Sequence, residues 1–298
     1  MPQPFRVSQF EVDKPLSQLS TFGIGGPARF FIEVQKVDEL QALLKYCHAQ
    51  KLPFFVIGKG SNSLFDDRGF DGLIILNKIS FCQFDWPIVH VGAGYSFSLL
   101  GTQTARKGWA GLEFASGIPG SVGGAVYMNA GASGTETSES LIEVTFIDEK
   151  GEIEILQRDQ IAFSYRSSTF QTRKGVIVSA KFLLTPSEEV RKKQLRIINY
   201  RTRTQPYGDK SAGCVFRNPE AHSAGALIEL TGLKGKRIGG AEVSTLHANF
   251  IVNKGGATAR EILELAAFVK KAVKEKTGVD LEMEMRYIPY RAGADVSS

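Results

Sequence analysis

Residues 117–132 read GIPGSVGGAVYMNAGA, from Gly117-Ile118-Pro119-Gly120-Ser121-Val122-Gly123-Gly124 through Tyr127 to Asn129-Ala130-Gly131-Ala132. Five glycines fall in this stretch, with little regular hydrophobic period around them. Such density points to backbone packed tightly against something, or to φ angles closed to other residues. Two further glycine clusters precede it. Gly58-Lys59-Gly60-Ser61-Asn62-Ser63 follows the apolar run Phe54 to Ile57, and Gly92-Ala93-Gly94-Tyr95-Ser96 stands directly before a helical pattern. Glycines let backbone N–H groups approach an anion, and Ser61 and Asn62 add side-chain donors. Each cluster alone reads equally as a tight turn, with Ser96 as an N-cap. Together they suggest one large, phosphate-bearing ligand lying against backbone. None is a G-x-x-x-x-G-K-[ST] loop, and the G-x-G-x-x-G dinucleotide pattern with its distant acid is missing, so magnesium–NTP chemistry has no support.

Outward from these loops, the chain reads as mixed α and β. Ala28 to Val34 reads as a strand, and Val37 to Gln50 as a helix with Leu40, Leu43, Leu44 and Cys47 on one stripe. Strand-like runs recur at Leu73 to Leu76 and Ile88 to Val91, and a helix is expected over Ser96 to Lys107. Asp148-Glu149-Lys150-Gly151 separates two strand-like runs, a hairpin signal. Ser187 to Arg203 reads as a helix entering a further unit, which holds a short helix over Ala224 to Thr231 and a strand over Asn249 to Val252. The clearest element begins at the Thr258/Glu261 capping box and ends at Gly278, with Ile262, Leu263, Leu265, Ala266, Val269 and Val273 as its buried stripe. A last strand is expected from Asp280 to Ile288, and residues 291–298 read as a loose tail.

The 298 residues are 43% hydrophobic and 22% charged, enough apolar surface for a folded chain of one to three domains. The net charge of +5 is carried by scattered rather than clustered Lys and Arg, which disfavours nucleic acid and suits anionic small molecules. Cys47, Cys82 and Cys214 form no CxxC pair and no metal-ligand spacing, so a reducing, cytoplasmic setting is expected and no metal site. The first residues lack a signal-peptide apolar core, and no apolar run approaches a membrane span.

With these motifs in view, the chain resembles the UDP-N-acetylenolpyruvoylglucosamine reductases. The likeness runs from about Pro15 to Ile288 through Thr21-Phe22-Gly23-Ile24-Gly25-Gly26, the Gly58–Asn62 loop, Gly117–Ala132, Tyr165-Arg166, Gly213–Pro219, Arg237–Val243 and Leu281–Arg286. The resemblance implies an α+β fold: an FAD-binding fold of the vanillyl-alcohol-oxidase (PCMH) type in two subdomains, residues 1–57 and 58–186, and a C-terminal α+β substrate-binding domain, residues 187–290. It implies the shorter class of the family, without the extra substrate-clamping loop. It also implies NADPH-dependent reduction of UDP-N-acetylglucosamine enolpyruvate to UDP-N-acetylmuramate in cell-wall peptidoglycan synthesis, by a monomer with bound FAD. The flavin would be held by Thr21, Gly23, Ile24, Gly25, Gly58, Lys59, Gly60, Ser61, Asn62, Ser63, Gly117, Ile118, Pro119, Gly120, Ser121, Gly123, Gly124, Asn129 and Ala130.

The reaction needs a hydride at one alkene carbon and a proton at the other, with charge developing beside a carboxylate. Arg166 matches the family's arginine; its planar, permanent charge suits that carboxylate, although the residue alone reads as a surface arginine. Glu284 matches the family's glutamate. Strand alternation would put Glu282 and Glu284 on one face, so period cannot choose between them and only the motif does. Cys214 is a departure, since better-known members carry a serine as proton donor here. A thiol, with an unperturbed pKa of about 8.5, gives up its proton more readily than an alcohol. Alone, it reads as a small buried hydrophobe. Tyr165 joins the substrate set through the Tyr-Arg motif, Asn218 is a phosphate or sugar contact, and Arg203, Arg217, Lys234 and His247 are further candidates for the UDP end; His247 reads equally as a core histidine. An oxygen-using oxidase on the same fold is the rival enzyme; such relatives often attach FAD covalently through His or Cys. Neither His48 nor Cys47 lies in a matching loop, so noncovalent FAD is expected. A non-catalytic nucleotide or nucleic-acid binder would rest on charge and glycines alone.

Overall fold

A computed structural model describes residues 5–291; all of the expected tail but Arg291 lies outside the described residues. The chain divides into two compact units. The first takes in Phe31–Gly58 and Leu73–Arg201 with the leading residues up to Glu11. The second takes in Val12–Phe30, Lys59–Gly72 and the chain from Thr202. Neither unit is a continuous stretch, because the chain passes back and forth between them.

In the first unit, helix α1 (Val37–Ala49) buries Leu40, Leu43, Leu44 and Cys47, the stripe that its sequence period predicts. Pro53 breaks the chain, and the strand Phe54–Ile57 then pairs in parallel with Leu73–Leu76. A five-stranded antiparallel sheet forms the rest of the scaffold, in the order Ile153–Gln157, Leu141–Asp148, Gly175–Leu183, Ile88–Gly92, Cys82–Asp85. The expected hairpin is its edge. Gly151 turns it at φ 83°, and the Asp148 carboxylate accepts from the N–H groups of Lys150 and Glu152 at 2.9 and 2.8 Å.

Helix α2 (Phe97–Arg106) is capped by Ser96, whose hydroxyl accepts from Leu99 N–H at 3.5 Å. The glycine-rich stretch, which shows little regular period in the sequence, contains a short helix, α3 (Val122–Tyr127). Ser121 caps it, and Val122, Ala125 and Val126 are buried in the same core as Phe97, Leu100, Phe146 and Phe182. Burial of Val122 and Val126, each contributing about 1.5–3 kcal/mol, outweighs the helix cost of Gly123 and Gly124, about 1 kcal/mol each. Helix α4 (Thr137–Ser140) precedes the long strand Leu141–Asp148, and α5 (Val190–Thr204) follows the sheet.

In the second unit, α6 (Ala224–Leu230) and α7 (Ala259–Thr277) pack on the sheet Arg237–Ile238, Ala241–Val243, Ile251–Asn253. The α7 capping box is formed, Thr258 Oγ accepting from Glu261 N–H at 3.2 Å and Glu261 accepting from Thr258 N–H at 3.1 Å. Gly278 ends the helix at φ 75°. Leu263, expected in the buried stripe, is only half-buried at its margin. The last strand is much shorter than expected: Arg286–Ile288 runs parallel to Ser63–Phe65, while residues 281–285 form only a bridge from Met283 to Phe216. The backbone N–H groups of Glu284 and Met285 both donate to Val215 O, at 2.8 and 3.3 Å. Leu281, Met283 and Met285 pack on the core of this unit, while Glu282 is exposed and Glu284 half-buried.

Candidate active site

In the first unit Gly58 and the two later glycine clusters meet one another. Val122 N–H donates to Tyr95 O at 2.9 Å, Gly123 N–H to Ala93 O at 2.8 Å, and Phe97 N–H to Gly120 O at 3.1 Å. A Cβ on Gly58 would lie 2.2 Å from Ser121 Oγ, and one on Gly123 would lie 2.9 Å from the Ala93 side chain. Glycine is required here because the loops are packed against each other. The N–H groups of Val122, Gly123 and Gly124 thus serve the fold, the last through Ser121 Oγ at 3.3 Å. Behind Gly117 stands α5: Gln194 donates to Ser116 Oγ at 2.9 Å, and a Cβ on Gly117 would meet Arg201 Cδ at 2.5 Å.

The first unit also holds Tyr165 and Arg166. Tyr165 is exposed. Arg166 has φ 56°, its guanidinium lies 4.7 Å from the Tyr165 ring, and its Nη2 donates to Gly131 O at 2.9 Å. Asn129 is fully buried, and its amide is engaged by Glu136, Ser164 and Ser138.

The second unit brings Cys214 and Glu284 close along the backbone. Cys214 forms a bridge with Phe250, Val215 N–H donates to Asn249 O at 2.8 Å, and Glu284 N–H donates to Val215 O at 2.8 Å. The Lys59–Ser63 loop joins this cluster: Asn62 Nδ2 donates to Glu284 O at 3.1 Å, and Arg286 N–H donates to Asn62 O at 3.0 Å. Thr21 closes it from the other side, its hydroxyl donating to Ser211 O at 2.6 Å and its N–H to Gly60 O at 3.2 Å. Gly60 has φ 60° and a Cβ there would lie 2.0 Å from Leu19 O, so no other residue fits. Gly213, at φ 77°, faces open space, with Ser61 O 4.0 Å from the position a Cβ would take.

Two residues outside the sequence-based set shape this cluster. Asn249 is buried and pairs with Phe216 like a strand neighbour, its Nδ2 donating to Phe216 O at 2.8 Å and its Oδ1 accepting from Phe216 N–H at 3.0 Å. Asn253 Nδ2 donates to Phe22 O at 3.0 Å, tying the Thr21–Gly26 segment to the sheet. Asn249 stands in the turn before the strand Ile251–Asn253, and half-buried Asn253 ends that strand; no local motif marks either.

The candidates for the UDP end lie in the second unit. Asn218 Oδ1 accepts from Ala224 N–H at 3.0 Å, at the start of α6. Lys234 pairs with Glu229 at 2.7 Å, and Arg203 is exposed on α5. Arg217 Nη1 stands 3.9 Å from Glu282, and its buried Nε has no hydrogen-bond partner. His247 Nδ1 accepts from Asn249 N–H at 3.3 Å, and its ring packs edge-on against Phe250 at 4.9 Å. Ile24 is part of the hydrophobic core.

The donor set suits a dinucleotide. Residues 58–63 and 117–124 contain glycine backbone, Ser and Asn donors and the cation Lys59, and no carboxylate. Residues 28–157 match the family model of an FAD-binding domain, which makes the chain a flavoprotein of that class. Residues 205–288 match the model of the UDP-N-acetylenolpyruvoylglucosamine reductase C-terminal domain. The chain is 56% identical over 287 residues to the UDP-N-acetylenolpyruvoylglucosamine reductase of Protochlamydia amoebophila (strain UWE25), covering 95% of each chain. It is 48% identical over 289 residues to that of Chlamydia trachomatis serovar A, covering 97% of this chain and 98% of that one. The crystal structure of UDP-N-acetylenolpyruvylglucosamine reductase from Thermus caldophilus superposes with a TM-score of 0.80 at 36% identity, over 94% of this chain and 100% of that one. The chain belongs to the UDP-N-acetylenolpyruvoylglucosamine reductase family.

Proposed function

We infer that the protein reduces UDP-N-acetylglucosamine enolpyruvate to UDP-N-acetylmuramate in peptidoglycan synthesis, with NADPH as reductant. The observation that carries this reading is the Cys214–Val215–Glu284–Asn62 backbone cluster, in which a protic side chain and an acid are fixed beside a glycine loop. FAD, when bound, carries hydride from NADPH to the enolpyruvyl double bond. Thr21, Gly23, Ile24 and Gly25, the Gly58–Ser63 loop, Gly117–Gly124 (through Ile118, Pro119 and Gly120), Asn129 and Ala130 are the segments proposed to hold it, without a covalent bond.

Arg166 receives the substrate carboxylate, whose charge grows as the double bond is reduced, and its fork can engage both oxygens. Cys214 delivers the proton to the carbon bearing that carboxylate. Glu284 acts electrostatically, near the enolate. Its backbone is held by Val215 O and Asn62, so its place is set by the segment that carries Cys214. Tyr165, Arg203, Arg217, Asn218, Lys234 and His247 contact the nucleotide sugar.

The same reading divides the chain into FAD-binding subdomains over residues 1–57 and 58–186 and a substrate-binding domain over residues 187–290, in a monomeric cytoplasmic enzyme. Among the described residues no helix is long and apolar enough to cross a membrane. The test is NADPH consumption with the enolpyruvyl UDP-sugar under anaerobic conditions, with the product weighed by mass spectrometry. One UDP-N-acetylmuramate per NADPH is expected, and NADPH consumption that needs oxygen would overturn the reading in favour of an oxidase.

A further inference from the structure

We propose that Glu136, fixed by the buried amide of Asn129, is the positioning residue for the guanidinium of Arg166. The proposal deepens the reading above and rests on Arg166 being the group that receives the substrate carboxylate. Arg166 sits at φ 56°, a region that an arginine occupies only where its surroundings hold it. Gln171 Nε2 donates to its carbonyl at 3.0 Å. Its side chain is only 16% exposed, so the charge is largely withdrawn from water and needs compensation nearby. Gly131 and Glu136 contribute to that compensation. Gly131 O accepts from Nη2 at 2.9 Å, and Glu136 Oε1 faces Nη1 at 3.8 Å.

Glu136 is itself held. Its other carboxylate oxygen accepts from Asn129 Nδ2 at 2.7 Å, and its backbone N–H donates to Glu139 Oε1 at 2.7 Å. Asn129 is 1% exposed; the same amide nitrogen donates to Ser164 O at 3.0 Å, and its Oδ1 accepts from Ser138 N–H at 3.0 Å. One buried side chain therefore fixes both the carboxylate facing the arginine and the backbone two residues before it. At 3.8 Å the Glu136–Arg166 contact is longer than a hydrogen bond. The carboxylate orients the fork by Coulomb attraction without itself accepting from its N–H groups. Gly131 leaves the room needed, since a Cβ there would lie 3.2 Å from Nη1.

The test uses the FAD-loaded protein with Glu136→Ala, Glu136→Gln, Arg166→Met and the Glu136→Ala/Arg166→Met pair, each assayed for flavin content, reduction by NADPH and reoxidation by the enolpyruvyl substrate. Glu136→Ala is expected to slow reoxidation about tenfold with flavin content and NADPH reduction unchanged. Glu136→Gln, which keeps the acceptor for Asn129 but removes the charge, is slowed nearly as much as Glu136→Ala. In the Arg166→Met background, Glu136→Ala adds no further loss. Full reoxidation by Glu136→Ala alongside a slowed Arg166→Met overturns the positioning role. So does loss of flavin, or equal slowing of both half-reactions, in Glu136→Ala. An Arg166→Met protein with normal reoxidation instead removes the Arg166 reading, and this proposal with it.

Discussion

The backbone N–H of Glu284 donates to the carbonyl of Val215 at 2.8 Å, and through that one bond the acid is tied to the residue that follows Cys214. Any change in the path of residues 214–216 is felt by both residues, so the proposed proton donor and the proposed acid share one backbone support.

The first prediction concerns Cys214. Cys214→Ala should slow reoxidation of the reduced flavin by substrate about 100-fold or more, the usual worth of a positioned general acid, while NADPH still bleaches the flavin at its normal rate. Cys214→Ser should retain much of the turnover. Stopped-flow absorbance separates the two half-reactions, and equal losses in both would remove the thiol from the proton-donor role.

Thiol chemistry gives an independent check. Burial pushes the Cys47 thiol up to about 12 and the Cys82 thiol up to about 11. Both stay protonated at neutral pH, and since the thiolate is the reacting form they resist alkylation there. Iodoacetamide at neutral pH should therefore inactivate the protein through Cys214, with Cys214→Ser protected. Peptide mapping that finds the label on Cys47 or Cys82 in the inactivated protein would contradict this.

Asn249 should prove structural as well as functional. Asn249→Ala strips Phe216 N–H and O of their partners, and leaving buried polar groups without partners costs about 1–3 kcal/mol each. A lowered Tm together with a reduced rate of substrate reoxidation is expected. An unchanged Tm would mean that the 214–216 segment is held by its backbone bridges alone.

The Asp66–Arg68–Tyr287 group sets two pH limits. The Arg68 hydrogen bond holds the Asp66 carboxyl well below the usual carboxylate range, against the opposing effect of burial. Its contribution is present above the unfolded carboxylate pKa of about 3.9 and is lost as pH falls below it. Burial, and then the 2.6 Å hydrogen bond that its hydroxyl donates to Asp66, push Tyr287 up to about 12. That contribution is present below the unfolded tyrosine pKa of about 10 and is lost as pH rises through about 12. Thermal melts of Tyr287→Phe should lose the alkaline decline between those values and keep the acid one.

The parts of this fold that were legible are those set locally. Helix α7 announces itself through Thr258, Glu261 and Gly278, because caps act within one turn, and α1 through its apolar period. Helix α3 was hidden because Gly123 and Gly124 inside it and Gly117 and Gly120 before it mask the period; it forms through tertiary burial of Val122, Ala125 and Val126. The strand expected through Glu284 stops short, and Glu284 and Met285 share one acceptor on a distant segment, which no alternation rule reveals. At the site, motifs pointed to Cys214, Glu284 and Arg166. The left-handed backbone of Arg166, the carboxylate of Glu136 and the strand-like amide of Asn249 depend on partners far away in sequence.

The most direct measurement is an anaerobic absorbance titration of the purified protein. NADPH should bleach a flavin spectrum, and the enolpyruvyl UDP-sugar should then restore it without oxygen. Recovery only after oxygen is admitted would contradict the assigned substrate, and a protein that shows no flavin even after reconstitution with FAD would contradict the account at its base.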